Sequence, residues 1–341
     1  MWEEAWGREP QMRTSESCEG AGLHSGKWAS RATTAARDPS VRSYLGRMYY
    51  RRRLLLALLQ AHGGCLEKIK LHKLLLLFMA DRHEAAFHFV PYKFGAFSYQ
   101  ANADLVTLAR QSLVANQEKE WELTDKEDHL AALKPADRAV LDALVNAHKG
   151  MSRDELVRET YRRFPYSALH SEMAPRLLNA NERKAVANSL PPAGPQGLYT
   201  IGYEGLDLDA FLNKLIRARI AVLCDVRRNA YSMKYGFSKK QLQHACEGVG
   251  IRYEHVPDLG IASDERQELN TQADRDALFG RYAERTLPTT RPSQEHLAAL
   301  IAEQERVAIM CFEHEQHCCH RGTLAQAVVK LPGFEGELVH L

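Results

Sequence analysis

The sequence lacks a charge excess, a long apolar run and any regular cysteine spacing. Its 45 Lys and Arg nearly balance 43 Asp and Glu, leaving a formal charge of +2. Bulk charge therefore does not mark a nucleic-acid binder. A basic surface would have to be local, as in the run Arg51, Arg52 and Arg53. The most apolar window, residues 71–80, is shorter than a bilayer crossing, contains His72 and Lys73 and is followed by Asp81. No membrane segment and no membrane partner are expected. The cysteines number 7, an odd count at irregular spacing. A disulfide framework is not expected, and the reading is a reducing, cytoplasmic compartment. His314, His317, Cys318, Cys319 and His320 form a cluster without a Cys-x-x-Cys, and adjacent cysteines are poorly spaced for one ion. No metal and no cofactor are therefore expected. No internal repeat is visible.

What is present is enough apolar residue, 45% of 341, to build packed cores. At roughly 100–200 residues per domain, the length points to two domains. Residues 1–47 are rich in Ser, Gly, Arg, Ala and Thr, with neither an apolar period nor the apolar core of a secretion signal. They read as a disordered tail or as an extension from a misassigned start, since Met48 directly precedes the first patterned segment.

Residues 48–186 read as a mainly helical domain. Leu54, Leu55, Leu58 and Leu59 recur at helical spacing, and Gly63-Gly64 ends that helix. A second helix is predicted from residue 66 to 79. An aromatic loop follows at 90–99, and then a third helix capped by Asn102 and running to 114. A short hairpin through 121–124 completes the element order of a winged helix. Two further helices are predicted, one from Pro135 to 148 and one opened by Ser152 with Glu155 as a capping box. Residues 187–197, with Pro191, Pro192 and Pro195, read as the linker.

Residues 198–341 alternate strand and helix: strands at 198–203, 220–226, 251–256, 307–312 and 337–341, with helices between them. This is the pattern of an α/β domain with a mostly parallel sheet. In such sheets ligands sit beyond the carboxyl ends of the strands. That rule selects Tyr203 and Glu204 after the first strand, Asp225, Arg227, Tyr231 and Ser232 after the second, and Glu313 with Cys319, His320 and Arg321 after the fourth. A helix start bearing His320 and Arg321 suits an anion, most simply a phosphate, with Arg227 in support. Glu313 and Asp225 are the acid–base candidates. Cys319 at a helix start is a candidate nucleophile with a lowered pKa. Each has a structural alternative: Asp225 and Arg227 can pair with each other, and Glu204 can cap the next helix.

Taken together, Thr200-Ile-Gly-Tyr-Glu-Gly205, Asp225-Val-Arg-Arg-Asn-Ala-Tyr-Ser232, Gly236-Phe-Ser238, Gly250-Ile-Arg-Tyr253, Leu259-Gly260, Cys311-Phe-Glu313 and Cys319-His-Arg321 resemble domain-of-unknown-function family 488 over residues 199–341. The resemblance implies the α/β fold and the same strand-end residues. The Asp-Val-Arg strand and the Cys-plus-Arg helix start are also similar to rhodanese-like domains, although Cys311 is followed by Phe312 and Glu313 instead of an uninterrupted Cys-to-Arg cradle. Leu71-His-Lys-Leu-Leu75 and Tyr92-Lys-Phe-Gly-Ala-Phe-Ser-Tyr99 resemble the SocA-like, phage-associated antitoxin domain, which implies a winged helix that binds DNA or a partner protein. Three functional readings follow. The first is an enzyme directed at nucleic acid, in DNA processing or phage defence. The second is a non-catalytic regulator that binds a nucleotide or another small phosphorylated ligand. The third is a thiol enzyme that uses Cys319.

Overall fold

Leu54, Leu55, Leu58 and Leu59 give the first helix, α1 (Tyr50–Ala61), an apolar stripe, and all four are fully buried. The computed structural model describes residues 48–262, 265 and 271–341. The expectations for residues 1–47 lie outside the described residues. Gly63 and Gly64, both at positive φ, end α1. The predicted second helix then starts late, because Cys65–Glu67 is a short strand, β1, ahead of helix α2 (Lys68–Asp81). β1 pairs antiparallel with β5 (Glu120–Leu123) and sets buried Leu66 opposite buried Trp121. That tertiary pairing overrides the local helical pattern.

The aromatic segment is a ribbon, not a loop: β2 (Val90–Tyr92) pairs antiparallel with β3 (Gly95–Phe97). Helix α3 (Tyr99–Arg110) is capped by Ser98, whose Oγ accepts from the Ala101 N–H, and not by Asn102. β4 (Val114–Asn116) pairs with β5, giving a three-stranded sheet in the order β1-β5-β4. α4 (Pro135–His148) begins at its proline, and α5 (Arg153–Arg163) carries the expected Ser152–Glu155 capping box. The expected basic surface at Arg51 and Arg52 is spent internally, because both guanidinium groups bond the buried carboxylate of Asp104 on α3. After α6 (Ala180–Ala187) the Pro-rich segment leads into the second half.

That half has the expected α/β architecture. Its elements run β6 (Gly197–Gly202), α7 (Leu208–Arg217), β7 (Val222–Asp225), α8 (Lys239–Gly248), β8 (Arg252–His255), α9 (Gln272–Arg281), α10 (Arg291–Gln304), β9 (Arg306–Cys311), α11 (His320–Val328) and β10 (Glu337–His340). The five strands form one sheet, β10-β6-β9-β7-β8, and every neighbouring pair is parallel. Successive strand residues alternate between two apolar cores, as the pleat demands. Tyr199, Ile201 and Leu223 face Phe211, Leu215 and Leu242, whereas Leu198, Val222 and Cys224 face Leu297, Ile301 and Leu324. Among the described residues no helix is long and apolar enough to cross a membrane.

The first of these cores is shared between the two halves of the chain. Tyr92, Phe97 and Tyr99 pack in it beside Phe211 and Ala245. At its edge, buried Asp209 of α7 accepts from the backbone N–H groups of Tyr99 (2.8 Å) and Gln100 (3.0 Å) and from Ser98 Oγ (3.3 Å). A carboxylate from one half thus caps a helix of the other.

Candidate functional site

Three strand ends meet at one edge of the sheet because β6, β9 and β7 are adjacent and parallel. β7 ends in Asp225, which is fully buried. Arg227 turns back over it: Nε donates to Oδ1 at 2.8 Å and one terminal nitrogen to Oδ2 at 2.6 Å. Tyr253 of β8 donates its hydroxyl to Oδ2 at 2.7 Å. The Arg227 guanidinium also donates to the Tyr203 hydroxyl (2.9 Å) and to the Phe237 carbonyl (2.8 Å). Burial works against that charge, but the Asp225 bonds outweigh it and hold the guanidinium above its usual range. Burial, together with the Asp225 charge, pushes the Tyr253 phenol up. Of the two alternatives for Asp225 and Arg227, the ion pair is the observed geometry.

Tyr203 stands between the corners. Its ring stacks on Phe237 at 4.2 Å, meets Phe312 edge-on at 5.3 Å, and its hydroxyl lies 3.4 Å from Ser232 Oγ. Glu204 does not cap the next helix; Asp207 does, accepting from the Ala210 N–H at 2.7 Å. Glu204 instead accepts from the His314 N–H at 2.9 Å and so anchors the loop after β9. Arg321 braces the same loop from within, donating to the carbonyls of Glu313 and His314. Gly202 lets that loop lie against β6, since a Cβ there would collide with the Glu313 carbonyl. Gly202→Ala is expected to cost about 1–3 kcal/mol, the usual range for overpacking. A lowered urea midpoint would register the change, and an unchanged midpoint would show that the loop can yield.

The third corner joins the other two. His320, buried at the start of α11, directs Nε2 to the Val226 carbonyl at 3.3 Å, one residue beyond β7. Its Nδ1 lies 3.8 Å from Cys311 Sγ and 3.9 Å from Cys319 Sγ. Glu313 Oε2 is 3.5 Å from the same Cys311 sulfur. Cys319 departs from the expected lowered pKa. Its thiol is almost fully buried, and burial followed by contact with Cys311 pushes it well above the ordinary value.

These corners border one cleft of ≈ 180 Å³ lined by Tyr203, Arg227, Arg228, Asn229, Tyr231, Ile261, Cys311 and Phe312. Tyr231 is 68% exposed and Phe312 43% exposed, unusually open for large aromatic side chains. Arg228 also lines a neighbouring polar cleft of ≈ 470 Å³ with Asp258, Thr286 and Thr290.

Residues 207–328 match the model of a protein family described as Domain of unknown function DUF488. The DUF488 match runs from within the segment before α7 to the end of α11, so it takes in the Asp225, Glu313 and Cys319 corners. It does not reach the N-terminal half. Searches against curated proteins and against solved structures returned no match. Within the matched segment, Arg228, Asn229, Tyr253 and Phe312 stand in the quoted motifs but are not among the residues that the strand-end rule selects. Phe312 carried a signal: it follows the last residue of β9 and directly precedes Glu313, where the chain leaves the two cores that cover the sheet. Tyr253 stands in the Gly250-Ile-Arg-Tyr253 motif, yet a tyrosine at the middle of a buried strand reads as packing.

Proposed function

We propose that the chain is an enzyme directed at nucleic acid and that the strand-end cleft takes one nucleotide unit. The observation that carries this reading is the pair of exposed rings, Tyr231 and Phe312, beside a cleft lined by Arg227, Arg228 and Asn229. Open aromatic faces accept bases by stacking, and a guanidinium suits the phosphate beside them. Arg228 is the cation best placed for that phosphate, since it is half exposed and held by a surface contact to Asp258 at 3.5 Å. Arg227 and Arg321, already committed to Asp225 and to loop carbonyls, shape the cleft. Glu313 is the acid–base candidate, and Asp225 is a positioning residue that fixes Arg227. A base within a duplex would have to leave the stack to enter a cleft this small.

Three helices, α1 to α3, followed by the β4–β5 hairpin that pairs with β1 support a winged-helix reading of the first half, with the β2–β3 ribbon inserted between α2 and α3. In that fold the start of the third helix usually enters the major groove. Here the start of α3 is plugged by Asp209. The reading therefore puts the nucleic acid at the second half's cleft and not at the tip of α3.

The first test is binding of a fluorescent single-stranded oligonucleotide. Tyr231→Ala and Phe312→Ala are each expected to weaken it about 5- to 150-fold, the equivalent of about 1–3 kcal/mol per stacked base. Tyr231→Ala should leave the thermal midpoint unchanged, and Phe312→Ala should lower it only by the loss of its edge contact with Tyr203. The second test incubates modified and unmodified DNA with wild type and Glu313→Gln and follows released bases and nicks by mass spectrometry. Product from wild type and none from the variant is the expected result. No binding and no product across the panel would remove the reading. Binding without product would favour a nucleotide-sensing regulator, a reading supported by the commitment of Asp225 to its ion pair.

A further inference from the structure

The sequence cluster rejected above as a metal site is divided by the fold. His314 is exposed and pairs with Glu315, while Cys318 is partly exposed near Gln272. Cys319 and His320 turn inward, where they meet Cys311 from the end of β9. The three ligand atoms, Cys311 Sγ, Cys319 Sγ and a His320 ring nitrogen, all lie within 4.8 Å of one another, and all three residues are buried.

Three observations make this more than a chance contact. The first is distance. Zn–S bonds of about 2.3 Å and Zn–N bonds of about 2.0–2.1 Å in a tetrahedron hold a sulfur and a nitrogen roughly 3.6 Å apart and two sulfurs roughly 3.8 Å apart. The two observed Sγ–Nδ1 separations are 3.8 and 3.9 Å, so a small inward movement would seat an ion. The second is the orientation of the imidazole. A carbonyl only accepts, so the Val226 carbonyl facing Nε2 assigns the proton to Nε2 and leaves the Nδ1 lone pair aimed at the two sulfurs. A histidine ligand is characteristically held in this way, by a hydrogen bond on its far nitrogen. The third is a fourth donor, the Glu313 carboxylate, 3.5 Å from Cys311 Sγ.

We propose that Cys311, Cys319 and His320 form a binding site for a divalent, borderline-soft cation of the Zn²⁺ type, with Glu313 in reach of the fourth position. Both thiols bind as thiolates, so each ion taken up releases two protons to solvent, and binding strengthens with rising pH. The charge of the ion offsets the burial that otherwise disfavours thiolate here. Because Cys311 also lines the cleft, the ion would sit at its floor, whatever the cleft accepts.

The test uses the full chain, purified under reducing conditions, stripped with a chelator and titrated with Co²⁺. One equivalent is expected to bring thiolate-to-cobalt charge-transfer absorption and intense tetrahedral d–d bands, both abolished by Zn²⁺. Cys319→Ser and His320→Ala are expected to lose the signature, and Cys318→Ser to keep it. If an inner variant fails to fold, wild type still decides the matter by releasing two protons per ion in unbuffered titration. No cobalt spectrum from fully reduced wild type would overturn the proposal. So would a spectrum retained in Cys319→Ser, or one lost in Cys318→Ser.

Discussion

Arg227→Ala is expected to destabilise the protein by about 3–5 kcal/mol, the cost of breaking a buried ion pair from one side. The substitution leaves the Asp225 carboxylate fully buried, with the residue 227 backbone N–H (3.1 Å) and the Tyr253 hydroxyl as remaining donors. The Tyr203 hydroxyl and the Phe237 carbonyl lose their guanidinium partner in the same step. Arg227→Lys should recover part of the loss, because a point charge cannot reproduce the two-pronged contact. Removing both charges, in Asp225→Ala with Arg227→Ala, should cost less than the two single changes summed, since no orphaned charge remains. Urea unfolding measures all four variants. A change below about 1 kcal/mol for Arg227→Ala would mean that water reaches Asp225.

Asp209→Ala should be the second large effect, and it should depend on pH. The change strips a hydrogen-bond acceptor from the Tyr99 and Gln100 N–H groups and from the Ser98 hydroxyl. At about 1–3 kcal/mol per orphaned buried donor, a total near 3 kcal/mol is reasonable. Burial pushes the Asp209 carboxyl up to about 7, against the pull of its bonds to Gln100 and Tyr99. In the unfolded chain an aspartate titrates at about 3.9. Between those values the folded protein holds a proton that the unfolded chain has lost. This group's contribution therefore falls as pH rises from about 4 to 7 and is flat above. The variant lacks that slope. Its penalty should be larger at pH 5 than at pH 8, by urea midpoints at the two values. An equal penalty at both would show that Asp209 is already ionised at pH 5.

Much of the second half was legible because a parallel sheet buried on both faces writes short apolar runs separated by helical periods. Residues 222–225 and 306–311 are such runs, and the strand-end rule located Tyr203, Asp225, Arg227 and Cys319 beside a common edge. What the sequence could not state was which charges would be spent. Arg51 and Arg52 read as a basic surface, yet Asp104 takes both; Asn102 read as a cap, yet Ser98 stands at the start of the helix. Such pairings depend on where distant segments come to rest, and no local pattern encodes them. The same holds for Cys311, which lies buried at the end of its strand and meets Cys319 and His320 only because α11 folds back against it.

The strand order also dictates when the site can exist. β6 and β7 are consecutive in the chain but not neighbours in the sheet; β9 inserts between them, pairing Gly197 with Arg306 and Val222 with Val307. Until that late segment arrives, two apolar strands wait with unsatisfied edges, and closing so long a loop is the slow kind of folding event. β9 carries Cys311 at its end, so the pairing that completes the sheet also brings that residue to the cleft. The open edges of β6 and β7 are what β9 covers, and before it does so they are the part of the chain most exposed to sticking to its neighbours.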